Sequence, residues 1–216
     1  MFRDRKDAGE KLAKTLEKYR SEDPLILAIP KGGVEVGYEV AKHLDAEMSI
    51  LIARKLPFPD NPEAGFGAVA EDGSSFMLDY AARGLSAATI ERILQQQRRE
   101  IQRRVTTLRK DKPLPEIAGR TVILIDDGIA MGSTMRASIA MCKNKKAQEI
   151  VVAAPVAGPS TAAELARLVD DVVILAKPAF FQAVAQVYAN WYDVSDQEVL
   201  QIMDKWERKD TPDTAG

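Results

Sequence analysis

The chain has 216 residues, 46% of them hydrophobic and 29% charged, with 30 basic and 32 acidic side chains for a net charge of -2. That length and balance suit one soluble α/β domain with an appended subdomain, and they lack the overall basic excess that marks a nucleic-acid binder. A single cysteine, Cys142, and a single histidine, His43, exclude an intramolecular disulfide, a Cys-rich zinc site and a His-based triad, and suit a reducing cytoplasm.

Residues 1–7 carry charges with no apolar run behind them, which is not a signal-peptide pattern. The longest apolar runs, such as 150–157, are too short to span a bilayer. Ala8, Leu12, Leu16 and Tyr19 share one helical face, which predicts a first helix from about 5 to 19. Residues 25–29 form a short apolar run, read as a buried strand, that ends in Pro30-Lys31-Gly32-Gly33. A helix over 34–44 follows, and then a strand over 48–53 that runs into Arg54-Lys55. From 56 to 61 the chain reads as loop, with Pro57, Pro59 and Pro62 as breakers. Residues 65–71 and 74–79 read as a β-hairpin around Asp72-Gly73.

Ser86 is positioned to cap a long helix running to about residue 110, with Ile90, Leu94, Ile101, Val105 and Leu108 inward. Residues 121–125 are the most β-like run, broken by Asp126-Asp127-Gly128, and a helix starts at Ser133 or Thr134 and runs to about 143. A strand over 150–154, a helix over 160–168 and a last strand over 171–176 follow. Ser195-Asp196-Gln197-Glu198 is a capping-box pattern for a helix to about 208, and residues 210–216 read as a disordered tail. Apolar strands alternating with helices predict an α/β fold, a mostly parallel sheet covered on both faces in three layers, as a single domain over 1–209.

The segment after residue 125 combines a strand, an acidic pair, a small-residue loop and a helix start. A parallel strand's carboxyl end points into the crevice where open α/β sheets bind ligands. At Gly132, Ser133 and Thr134 the helix begins, so backbone N–H groups lack internal partners and the dipole favours an anion. Asp126 and Asp127 would repel that anion. They suit hydroxyls or a cation about one sugar's length away, as on a ribose 5-phosphate.

Residues 122–134, Val-Ile-Leu-Ile-Asp-Asp-Gly-Ile-Ala-Met-Gly-Ser-Thr, resemble the phosphoribosyl pyrophosphate (PRPP) motif of type I phosphoribosyltransferases. The resemblance implies that Asp126 and Asp127 hold the ribose hydroxyls and act as the catalytic acids. It further implies that Ala130, Met131, Gly132, Ser133 and Thr134 cradle the 5′-phosphate. Met131 departs from the Thr, Ser, Ala or Arg usual there, which removes one hydroxyl contact but leaves the backbone N–H. Lys31-Gly32-Gly33 resembles the family's pyrophosphate loop, and Arg54 and Lys55 are implied as further pyrophosphate ligands at the sheet's carboxyl edge. Residues from about 56 to 80 would form a mobile flap, and the N-terminal and 178–194 segments a small hood. Phe2-Arg3-Asp4-Arg5 with Ala8-Gly9, and the Pro-Glu-Ala-Gly-Phe-Gly-Ala-Val stretch at 62–69, extend the likeness to an uncharacterised branch over residues 2 to about 203.

The implied reaction replaces the pyrophosphate of PRPP with a nitrogenous acceptor, a nucleobase or amine, at C1 of ribose. Mg²⁺ is the implied cofactor, held mainly through PRPP, with Asp126 or Asp127 reaching it directly or through water. Ala130 stands where 6-oxopurine salvage enzymes of the family carry an Asp, which weighs against hypoxanthine, guanine and xanthine. Phe180-Phe181 and residues 188–191 could stack on a base, although core packing is the more ordinary use of such aromatics. Arg98, Arg99, Arg103, Arg104, Arg109, Lys110 and Lys112 form a basic segment that suits either a solvated helix face or RNA. Two other functions therefore stand beside the transferase: a PRPP- or nucleotide-sensing RNA binder of the same fold, and a PRPP hydrolase. Neither membrane nor nucleic acid is the expected partner, and a homodimer is the family-level expectation. His43 is read as a helix-edge residue and Cys142 as a small buried hydrophobe.

Overall fold

The computed structural model describes residues 1–209; the tail expected over 210–216 lies outside them. Five strands form one parallel sheet: β1 (Leu25–Ala28), β2 (Met48–Ile50), β6 (Thr121–Ile125), β7 (Glu149–Val156) and β8 (Asp171–Ala176), in the order β2-β1-β6-β7-β8. Every residue of β1 and of β6 is buried. Alternation along these strands divides the interior into two cores. Ile26, Ala28, Ile123, Ile125, Val151 and Ala153 face one, and Leu25, Leu27, Val122, Leu124, Ile150 and Val152 face the other.

Helices α1 (Arg5–Thr15), α2 (Gly32–Leu44), α4 (Ala87–Arg109) and α7 (Asp196–Lys209) close the first core, and α5 (Ser133–Asn144) and α6 (Pro159–Leu165) the second. A 3-10 turn over Glu17–Glu22 follows α1 where the periodicity predicts continuous helix to 19. The expected α/β class with a mostly parallel sheet is what forms. Among the described residues, no helix is long and apolar enough to cross a membrane.

Two caps behave as the sequence predicts. Ser86 Oγ accepts from Thr89 N at 3.1 Å. Ser195 Oγ accepts from Glu198 N at 3.2 Å while Ser195 N donates to Glu198 Oε2 at 2.7 Å, a reciprocal capping box.

The segment after β2 departs from expectation. β2 stops at Ile50, and residues 53–58, read as the end of that strand, its basic pair and the start of a loop, form β3 (Ala53–Phe58), paired antiparallel with β4 (Asn61–Ala70), which pairs with β5 (Ser75–Met77). The second hairpin strand, expected to reach 79, stops at Met77, and a short α3 (Asp79–Ala82) begins at the expected strand's last residue. Pro57 fits inside β3 because the register shifts on both sides of it, so no ladder N–H is required there.

This small sheet is tied to the rest by a buried ion pair. Arg109, at the end of α4, donates to Glu71 Oε1 at 2.9 Å and Oε2 at 2.5 Å, and to Ile50 O at 2.9 Å. Glu71 Oε1 also accepts from Ile52 N at 2.9 Å. Removing one member strands the other charge in the interior, so Arg109→Met should cost about 3–5 kcal/mol of stability. Urea denaturation should show Arg109→Met with Glu71→Gln to be more stable than Arg109→Met alone, because the stranded charge is gone while an acceptor for Ile52 remains.

Candidate functional site

The carboxyl ends of β1 and β6 meet α2 and α5, and the acidic pair lies between them. Asp126 and Asp127 follow the last residue of β6, and Asp127 N donates to Asp126 Oδ1 at 2.8 Å. Packing pushes the Asp126 carboxyl well above the usual carboxylate range, and the neighbouring Asp127 adds to the shift.

Asp127 points elsewhere. Its Oδ2 accepts from Arg5 Nε at 2.7 Å, and its main-chain oxygen accepts from Tyr188 Oη at 2.6 Å. Burial raises the pKa of the Tyr188 hydroxyl, keeping it a neutral donor.

The small-residue loop is held from behind by its carbonyls. Ile129 N donates to Val156 O at 2.8 Å, anchoring the loop to the end of β7. Thr161 Oγ1 donates to Ala130 O at 2.8 Å, and Arg136 Nη1 to Met131 O at 2.6 Å. Arg136 is fixed in turn by an ion pair with Glu164. Gly132 precedes α5 at φ +70, a left-handed conformation that glycine adopts without strain. No side chain caps α5 and its first turn holds no acid, so the amides of Ser133, Thr134 and Met135 remain available to an outside anion.

Residues 128–134 line a cavity of about 330 Å³ with Lys55, Glu63, Gly65, Gly67 and Asp126. Size alone does not single it out, since a hollow beside Arg109 and Lys145 has about 410 Å³ and one along α1 and α2 at His43 about 460 Å³. Its distinction is that a helix N-terminus, an acid and a cation converge on it.

Glycines at the start of α2 make the neighbouring turn fit. A Cβ at position 32 would lie 1.8 Å from Asp127 Oδ2 and 2.6 Å from Arg5 Nε, and one at position 33 would lie 2.9 Å from Ile125 O. The Pro30–Lys31 peptide is cis. Lys31 Nζ stands 3.3 Å from Asp196 Oδ1 and remains partly exposed.

The expected basic pair is split by strand alternation. Arg54 and Lys55 lie in β3 rather than at the end of a parallel strand, which corrects their expected placement. Lys55 Nζ donates to Glu63 O at 2.6 Å on the cavity side. Arg54 instead donates to the buried Gln97 of α4 at 3.2 Å, where burial lowers the guanidinium pKa and Arg104 adds to the effect.

Most of the basic segment finds partners: Arg103 and Arg104 on Glu100, Arg109 on Glu71, Lys110 on Asp204 and Lys112 on Glu207. Those pairs remove much of the free positive charge that an RNA-binding face would need.

The aromatic candidates also separate. Tyr188 packs on Phe2 with ring centroids 5.7 Å apart, and Trp191 lies 5.4 Å from Tyr188 and takes the Arg5 guanidinium 4.0 Å from its ring centroid. Phe180 is 87% exposed. Arg5, Arg136 and Thr161 were missed as supporting residues. For Arg5 a signal existed: it shares the spacing of Ala8 and Leu12 on the buried face of α1.

The phosphoribosyl transferase domain family matches residues 4–190. Relatives from two Mycobacterium tuberculosis strains, whose phosphoribosyl transferase names are themselves provisional, are 39% identical over 210 residues, covering 96% of this chain and 47% of their own length. The chain thus spans about half the length of the curated relatives it matches. The crystal structure of TT1426 from Thermus thermophilus superimposes with a TM-score of 0.81 at 36% identity, covering 95% of this chain and 99% of that one. The family match takes in both site turns, the small sheet and the Tyr188 segment, so the chain belongs to the phosphoribosyl transferase family.

Proposed function

We propose that this chain binds PRPP with Mg²⁺ in the cleft at the tip of β6 and transfers the 5-phosphoribosyl group to a nitrogenous acceptor, releasing pyrophosphate. The observation that carries the reading is the cavity shared by Asp126, the loop 128–134 and Lys55. The amides at the start of α5 would take the 5′-phosphate, with the loop shape fixed by Thr161 and Arg136. Asp126 and Asp127 would take the ribose hydroxyls and favour the positive charge that develops on the sugar. Lys55 and the Lys31-Gly32-Gly33 turn would take the pyrophosphate, whereas Arg54 is committed to Gln97.

Asp126 or Asp127, with the bound PRPP, would hold Mg²⁺, whose charge would help neutralise the leaving pyrophosphate. Hard carboxylate oxygens at the acid pair fit such an ion. In this reading the cation is carried chiefly by the substrate.

In the step itself the C1–O bond to pyrophosphate breaks, its electron pair leaving with the pyrophosphate, and a C1–N bond to the acceptor forms. Ala130 can take no proton from that nitrogen, so the acceptor would lose its proton to solvent or arrive without it. The small sheet around residues 56–80 would cover the bound ligand and exclude water, and the N-terminal and 178–194 segments would stand over the acceptor. The reading includes a cytoplasmic homodimer on family resemblance alone.

Two measurements test this. Titration calorimetry with Mg²⁺ and PRPP should show Lys55→Ala weakening affinity by about 10- to 100-fold, the value of a lost charge-assisted contact, while Arg54→Ala changes it by less than about threefold. Equal losses in both variants would contradict the split of the basic pair. Pyrophosphate release from PRPP, followed across a panel of nucleobases and amines, should be acceptor-dependent and absent with hypoxanthine, guanine and xanthine. Equal release without any acceptor would instead mark a hydrolase.

A further inference from the structure

We propose that Arg5 is a positioning residue of the sugar site, holding the Asp127 carboxylate fixed beside the Gly32-Gly33 turn so that the acid pair offers a ribose diol one stationary acceptor. The inference rests on the sugar-phosphate reading of the cleft and assigns a role to a residue outside the phosphate and pyrophosphate loops.

Arg5 is the first residue of α1, and its side chain is 3% exposed. Burying a guanidinium costs several kcal/mol unless its donors are used, and here Nε and Nη1 each have an acceptor. Nε donates to Asp127 Oδ2 at 2.7 Å, Nη1 to Tyr192 O at 2.9 Å, and the plane lies over Trp191. Two carboxylates are within reach, yet only Asp127 is hydrogen-bonded. Glu35 stands 3.7 Å from Nη1, its Oε2 accepts from Tyr192 Oη at 2.6 Å, and its buried Oε1 has no hydrogen-bond partner. The space that admits the Arg5–Asp127 contact is the one a side chain at Gly32 would fill.

The result is an asymmetric pair. Asp127 is faced by Arg5 from α1, Glu35 from α2, Tyr188 from the C-terminal segment, and its neighbour Asp126. Arg5 is the cation among them, and it makes the hydrogen bond. Asp126 has no such partner, and its Oδ1 accepts from Asp127 N at 2.8 Å. A hydroxyl of a vicinal diol can then donate to a carboxylate whose place is already fixed.

The test compares two probes, ribose 5-phosphate and inorganic phosphate, by titration calorimetry on wild type, Arg5→Met, Arg5→Lys and Trp191→Leu, with thermal melting of each. Arg5→Met should weaken ribose 5-phosphate at least about tenfold and change phosphate by less than about twofold, because the phosphate loop makes no contact with Arg5. Arg5→Lys keeps the charge without the planar fork and should recover part of the loss, and Trp191→Leu should fall between wild type and Arg5→Met. Should Arg5→Met fail to fold, the same selectivity, smaller in size, is required of Arg5→Lys. Parallel loss of both probes would make Arg5 a staple of the fold and overturn the proposal, as would unchanged binding of both. If wild type binds ribose 5-phosphate no better than phosphate, the sugar-site reading fails and this role fails with it.

Discussion

Everything at this site depends on how closely the start of α2 can approach the acid pair after β6. The two turns belong to adjacent parallel strands, since β1 pairs with β6 along its whole length. Their carboxyl ends therefore open side by side. The gap between them is too narrow for a methyl group at position 32, where the Asp127 carboxylate and Arg5 already lie. Through that contact four remote pieces of chain become one unit: the start of α1, the start of α2, the acid pair and the segment at 188–192. Glycine at 32 serves as room for another residue's carboxylate as well as a turn residue.

The phosphate side obeys the same economy. A loop exposes amides to a ligand only if its carbonyls are satisfied elsewhere. Thr161 and Arg136 take the carbonyls of Ala130 and Met131 from the protein side, and the bond from Ile129 to Val156 fixes the loop's entry. Met131 can be a methionine, and 58% exposed, because what the loop presents at that position is backbone. An anion pocket made this way, as proposed here, would tolerate varied side chains on the loop and depend on supporting residues of α5 and α6.

The parallel strands were legible because their signals agree. Residues 121–125 and 171–176 are short apolar runs with abrupt polar ends, and β6 and β8 occupy those spans. The caps at Ser86 and Ser195 are local chemistry and needed no tertiary knowledge. Residues 53–58 failed for a complementary reason. Pro57 and Pro59 are strong local breakers, but pairing with β4 and register shifts around Pro57 are tertiary facts that override them. That miss carried over to the site, because Arg54 and Lys55 read as a terminal basic pair only if the strand ends before them. Arg5 was hidden among charges at the chain's start, and Arg109 looked like part of a basic face although it is paired in the interior. Buried charge pairs between distant residues leave little trace in a single sequence.

The most direct measurement is a crystal structure of the protein grown with PRPP and Mg²⁺. The account requires the 5′-phosphate on the amides of residues 130–134, the ribose hydroxyls against Asp126 and Asp127, and the pyrophosphate between Lys55 and the Gly32-Gly33 turn. PRPP bound in another hollow, or a sugar turned away from both aspartates while its phosphate sits in the loop, would contradict it.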